Sequence, residues 1–168
     1  MRTTTASPWV RAPLVVLIAL AVQTTFFSDV RPFGALADIM LLLALTAGMV
    51  GGPRDGAVYG FGAGLAYDLM LRTPFGLSAL TYLLVGYGAG YLQNLVSAAR
   101  WWSTMVIVAA ASAVSVVLYA LVGTVFGLRD VVNPHLVTVM AVVGVVNGVF
   151  AVPALRAQRW ALLARQTV

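Results

Sequence analysis

The sequence predicts an all-α membrane protein: a compact bundle of six transmembrane helices forming one polytopic domain over residues 1–168. Three observations predict it. The chain is 61% hydrophobic and only 9% charged, with a mean hydropathy of +0.97, and a water-soluble fold needs more charge than this to cover its surface. Its apolar residues fall in runs long enough to cross a hydrocarbon layer of about 30 Å. Inside one run, Gly56, Gly60, Gly64 and Asp68 recur every fourth residue. On a helix that spacing drifts only about 40° per step, which gives one slowly turning stripe.

The first span covers about 12–27. Ala19-Leu20-Ala21 mimics a signal-peptidase site, but it lies within the apolar run and more membrane helix follows, so the segment reads as a retained anchor. The second span covers 35–52 and the third 56–71, joined by a tight turn at Pro53-Arg54-Asp55. The third is short, roughly 24 Å against a core of about 30 Å. A fourth span covers 75–97, a fifth 101–128, long enough to cross while tilted, and a sixth 136–155. Pro32, Pro74 and Pro134 each precede a span that descends from the outer side, as suits the first turn of a helix. Two of them open Pro-Phe-Gly, at Pro32-Phe33-Gly34 and Pro74-Phe75-Gly76, so the relic of a duplicated hairpin is a second reading. The basic tail, 156–168, carries Arg156, Arg159, Trp160 and Arg165 among Ala and Leu. It is expected along the inner headgroups, with docking of a cytoplasmic partner as the other reading.

Charge sets the orientation. All ten basic residues are Arg and all five acids are Asp, for a net +5. With the N-terminus inside, Arg2, Arg11, Arg54, Arg100, Arg156, Arg159 and Arg165 fall on the cytoplasmic side, and Arg31, Arg72 and Arg129 outside. This asymmetry places both termini in the cytoplasm. Trp9, Trp101, Trp102 and Trp160 then sit near span ends, as an interfacial aromatic belt does. The positive charge reads as topology and contact with lipid headgroups; there is no basic cluster of nucleic-acid type.

The same composition excludes several chemistries. There is no cysteine, hence no disulfide, thiolate nucleophile or sulfur-ligated metal. One histidine, His135, cannot build a His-rich metal site. The metalloprotease, nucleophile-elbow and P-loop motifs are absent, and Gly60-x-Gly62-x-Gly64 lies inside a span, where it cannot cradle a nucleotide. No catalytic residue, metal or cofactor is expected.

What stands out instead is acid in an oily setting, which is costly and a functional candidate by default. Antiparallel spans two and three bring Asp38 and Asp68 to one level near the outer boundary, with Arg72 four residues after Asp68 in the favourable order for a helical pair. Asp38 near a helix start is favoured by the dipole. Two readings are open: a paired, structural set, or an outer polar pocket or partner-docking point. On the second, Asp68→Asn impairs function with little loss of folded protein. Gly86 and Gly90 of the fourth span make a small-xxx-small face, with Tyr82, Tyr87 and Tyr91 around it. That face suits either the glycine stripe or the helix of another protein, and the 109–115 stretch of Ala and Ser allows the same two readings. Gln23, Gln93, Asn94 and Asn147 are too scattered to define an ion path.

The stretch Gly60-Phe61-Gly62-Ala63-Gly64-Leu65-Ala66-Tyr67-Asp68-Leu69, followed by Phe75-Gly76-Leu77-Ser78-Ala79-Leu80, resembles the rod shape-determining MreD family. Ala37-Asp38-Ile39-Met40 is similar to that family's Pro-Asp-Leu opening of the second span, with Ala37 in place of the proline. The resemblance covers most of the chain. It implies a non-enzymatic component of the cell-wall elongation machinery in the bacterial cytoplasmic membrane, associated with a single-span MreC-like protein. Through that protein it implies links to a RodA-like glycosyltransferase, a class B penicillin-binding protein and an MreB-like filament. It also implies a fold similar to the substrate-binding subunits of energy-coupling-factor vitamin transporters. A solute-binding subunit of such a transporter, with an outer cavity lined by Asp38, Asp68 and tyrosines, is the alternative function.

Overall fold

The structure, a computed structural model, describes residues 8–25, 38–70, 74–94, 100–128 and 134–162. Most of them lie in five helices: α1 (Pro8–Thr25), α2 (Ile39–Asp68), α3 (Leu77–Gly90), α4 (Trp101–Val125) and α5 (His135–Leu162). The all-helical class agrees with the sequence, and α4 and α5 are long and apolar enough to cross a membrane. At 25 and 28 residues they measure roughly 37 and 42 Å.

α2 is creased. Gly52 takes φ 85° and ψ −178°, a conformation essentially confined to glycine. The helix resumes at Pro53, whose fixed φ and missing N–H suit a first helical position. The two arms, 39–51 and 53–68, fold back on each other. A methyl group at Gly56 would stand 2.5 Å from Gly48 Cα, and one at Gly60 would stand 3.3 Å from Ala44 Cβ. In a straight helix residues 48 and 56 would be about 12 Å apart. The two arms lie where the second and third spans are expected, and the chain reverses between them at a single glycine. The expected turn at Pro53-Arg54-Asp55 is instead the opening of the second arm, because glycine completes the reversal one residue earlier.

The first arm forms the core. Every residue from 40 to 50 is buried, as a helix apolar on all sides requires. α1 packs beside both arms: the hydroxyl of Tyr59 on the second arm donates to Ala12 O (2.9 Å) near the start of α1, and Gln23 near its end accepts from Ile39 N of the first arm (3.0 Å). α3 lies antiparallel to the second arm, with Gly56 against Gly86, Gly60 against Tyr82 and Gly64 against Ala79. α4 and α5 form a second antiparallel pair, with Gly144 and Gly148 both against Ala109, and Gln158 of α5 donates to Leu43 O on the first arm (3.2 Å).

Two helix ends depend on local packing. α3 ends at Gly90, the chain turns at 91–92 and is helical again at 93–94, and the expected end of the span at 97 lies outside the described residues. Gly86, Gly88 and Gly90 weaken it, and Gln93 is drawn to Val50 O (3.1 Å). α5 continues past 155 to Leu162, with Leu155, Gln158, Ala161 and Leu162 buried. The first residues of the expected tail are thus a packed continuation of the last helix. The start of α1 and the end of α5 meet where the Arg11 guanidinium lies 4.8 Å from the Trp160 ring centroid.

A methyl group at Gly60 would collide with the Tyr82 carbonyl, whereas one at Gly62 meets nothing within 4 Å. Gly60→Ala is expected to destabilise the protein by about 1–3 kcal/mol. Gly62→Ala should be neutral or stabilising by up to about 1 kcal/mol. Thermal unfolding in detergent checks both, and equal losses would contradict this packing.

Candidate functional site

Gln23, Asp38, Asp68 and Tyr82 collect where α1 ends and where α2 and α3 begin. Asp68 closes the second arm of α2 and is 3% exposed. The turn Pro74-Phe75-Gly76 follows, with Gly76 in the left-handed region at φ 96°, a placement that a side chain would strain. This turn aims the first N–H groups of α3 back at Asp68, which accepts from Gly76 N (2.9 Å), Ser78 N (3.1 Å) and Ala79 N (3.2 Å). The opening N–H groups of a helix have no partner within it. α3 begins on a glycine that offers no capping side chain, so its cap comes from the preceding helix. A carboxylate there also meets the positive end of the helix dipole.

Asp38 serves α2 in the ordinary way. Its Oδ1 accepts from Leu41 N (2.8 Å), as an N-cap does. Its Oδ2 accepts from the hydroxyl of Tyr82, which projects from α3 and is 1% exposed. The Tyr82 ring stacks on Tyr67, centroids 6.3 Å apart. Gln23 of α1 completes the layer: its Oε1 accepts from Ile39 N (3.0 Å) and its Nε2 donates to the Tyr67 hydroxyl (3.5 Å). One polar layer thus ties together α1, both ends of α2 and the start of α3. At the opposite end of the first arm, Gln93 supplies the donor for Val50 O, a carbonyl that the crease deprives of its helical partner.

Asp38 and Asp68 stand at one end of the bundle, yet each accepts from a different set of donors. Arg72 lies outside the described residues. Gly56, Gly60 and Gly64 of α2 pack against α3; Gly86 meets Gly56, and Gly90 meets Pro53. Ala109 meets Gly144 and Gly148, and Ser112 accepts from Asn147 (3.1 Å). Ala111 and Ser115 instead line an apolar groove of about 310 Å³ beside α3, where Leu84 and Gly88 form the other wall. A second apolar groove, of about 390 Å³, lies between α1 and α5. Neither groove is lined by Asp38 or Asp68. Among the described residues no three His, Cys, Asp or Glu side chains converge as metal ligands do.

Sequence reasoning missed Tyr82, Tyr67 and Gln23 as parts of this layer, and Gln93 as the partner of Val50 O. The available signal was an amide or hydroxyl within a turn or so of a helix end in an apolar chain, where water cannot serve the orphan backbone groups. As arranged, the carboxylates act as acceptors for helix starts. Acid–base chemistry would need a substrate within reach of an oxygen, and the Asp68 oxygens already take three bonds in a buried position.

The sequence family described as rod shape-determining protein MreD matches residues 3–154. No curated protein and no solved structure matches the chain.

Asp68→Ala, which strips the cap from three buried N–H groups, is expected to lower stability by about 2 kcal/mol or more. Asp68→Asn keeps one acceptor and should lose about half as much, while Tyr82→Phe should lose about 1 kcal/mol. Unfolding curves in detergent measure the order. An Asp68→Ala protein that melts with the wild type would show the cap to be dispensable.

Proposed function

The chain belongs to the rod shape-determining MreD family, and from that premise we propose that it is a non-enzymatic scaffold of the bacterial cell-wall elongation machinery. The family match across residues 3–154 carries this reading. The family acts in rod-shape determination as part of a membrane complex, and the apolar helices α4 and α5 suit that setting.

In the proposed topology α1, the two arms of α2, α3, α4 and α5 each cross the cytoplasmic membrane, with both termini in the cytoplasm. The distribution of arginine supports it. Arg11, Arg54, Arg100, Arg156 and Arg159 belong to the end of the bundle that holds the α2 crease and the meeting of α1 with α5, as the positive-inside rule asks of a cytoplasmic face. The direct partner is a single-span MreC-like protein, through which the chain connects with a RodA-like glycosyltransferase, a class B penicillin-binding protein and an MreB-like filament.

Asp38, Asp68 and the glycine lane contribute from inside, by fixing the shape that partners meet. Gly86 and Gly90 are covered by α2, so a visiting helix needs another face. The groove between α3 and α4, where Gly88 has open space in front of it, is the better candidate. Close approach at small residues is how membrane helices associate.

A photo-crosslinking residue at Gly88 in native membranes is expected to capture an MreC-like protein, and depletion of the chain should round rod-shaped cells. Capture of an ATPase transport module alone, or unchanged cell shape, would overturn the reading.

A further inference from the structure

The sequence marks the third span as short, and the structure gives its neighbour a similar height. On the second arm of α2, Val58, Phe61, Leu69 and Met70 are exposed, and charged Arg54 is exposed one turn before Val58. From Arg54 to Met70 the rise is about 24 Å. α3, from its N-cap Gly76 to the turn at Tyr91, rises about 22 Å. Both fall short of a hydrocarbon core of about 30 Å. α1, at 18 residues, comes close to it at roughly 27 Å, and α4 and α5 exceed it.

The deficit is one-sided. Around the enclosed first arm, the glycine lane joins the second arm to α3, and Gly144 and Gly148 join α5 to α4. The short pair forms one flank and the long pair another. Neither end of the short flank suits hydrocarbon. One end carries the Arg54 charge. At the other, α2 closes with Leu69 N on Leu65 O and Met70 N on Tyr67 O, and the carbonyls of a last turn have no partner within the helix and need water.

A short span is accommodated by reaching side chains, by cover from another chain, or by thinning of the bilayer. Reach fails at the Asp68 end, where the carboxylate is held by Gly76, Ser78 and Ala79 N. Tilting, which fits a long helix to the core, lowers a short one further. Cover by another helix needs small residues at the contact. Gly56, Gly60, Gly64 and Gly86 are already used to join the second arm to α3, while bulky Phe61, Leu80, Leu84 and Tyr87 are exposed. We propose that the α2–α3 flank thins the bilayer beside it and gathers phospholipids with shorter chains. The proposal rests on the membrane setting given above and on no protein partner, so it can fail without the scaffold reading failing.

The chain has no cysteine, so one fluorophore can be placed on Phe61→Cys, or on Val145→Cys at an exposed site of α5. Each labelled full-length protein is reconstituted in equal mixtures of phosphatidylcholines with monounsaturated chains of about 14 and about 22 carbons, one of the two brominated. With bromine on the short lipid, quenching at Phe61→Cys should exceed that at Val145→Cys about twofold. With bromine on the long lipid the order should reverse. Equal quenching at the two sites would overturn the proposal. So would a Phe61→Cys label shielded from both lipids while Val145→Cys is quenched, since that marks a flank covered by a second copy. Quenching at neither site by either lipid would overturn the membrane setting and the proposal with it. Melting curves in detergent control for folding; if Phe61→Cys unfolds, Leu80→Cys on α3 reads the same flank.

Discussion

Backbone groups at a helix end have no partner within the helix, and hydrocarbon offers no water to take its place. The polar residues of this chain are spent largely on that constraint. Asp38 and Gln23 serve the start of α2, Asp68 serves the start of α3, and Gln93 serves the carbonyl freed at the Gly52 crease. Each donor or acceptor reaches across from another element except Asp38, which caps its own helix and then takes the Tyr82 hydroxyl. Satisfying the ends and joining the helices are therefore one act. Removing any of these groups exposes a buried backbone dipole and loosens a junction.

Between those ends, cohesion comes from proximity. Side-chain burial gives little advantage where the surroundings are as apolar as the side chains, so packing distance matters more than hydrophobic area. Gly56, Gly60 and Gly64 bring α2 onto α3 backbone to backbone, and Gly48 and Gly86 carry the same closeness to the first arm. The α4–α5 pair uses a milder version, in which Gly144 and Gly148 rest on Ala109. Asp68 stands at the end of the lane because the lane holds the two helices close enough for a short carboxylate to reach the next helix's first turn.

Much of this was legible in the sequence, because it is local. The all-helical class follows from composition, and the lane from its four-residue spacing. The partner of the lane is set by chain reversal, which spacing does not encode. The reversal itself was read one residue late, since Pro53-Arg54-Asp55 has the composition of a turn while Gly52 alone supplies the required φ. Within the fourth span, α3 stops where Gly90 packs on Pro53, a break that the apolar run through Tyr91 and Leu92 does not signal. Asp68 was legible as an anomaly, but its donors were not: they are backbone groups aimed by the left-handed Gly76, and backbone leaves no mark in a residue pattern. Tyr82 was noticed as a neighbour of the glycines, and only the fold brings its hydroxyl to Asp38.

The first arm of α2 is enclosed along residues 40–50, and its last wall is α5, which reaches Leu43 through Gln158. Synthesis from the N-terminus means that this wall is made after the other four described helices. While α5 is still inside the ribosome, the central rod has an open flank. The finished shape is therefore closed by α5, and the innermost helix is built well before it is sealed.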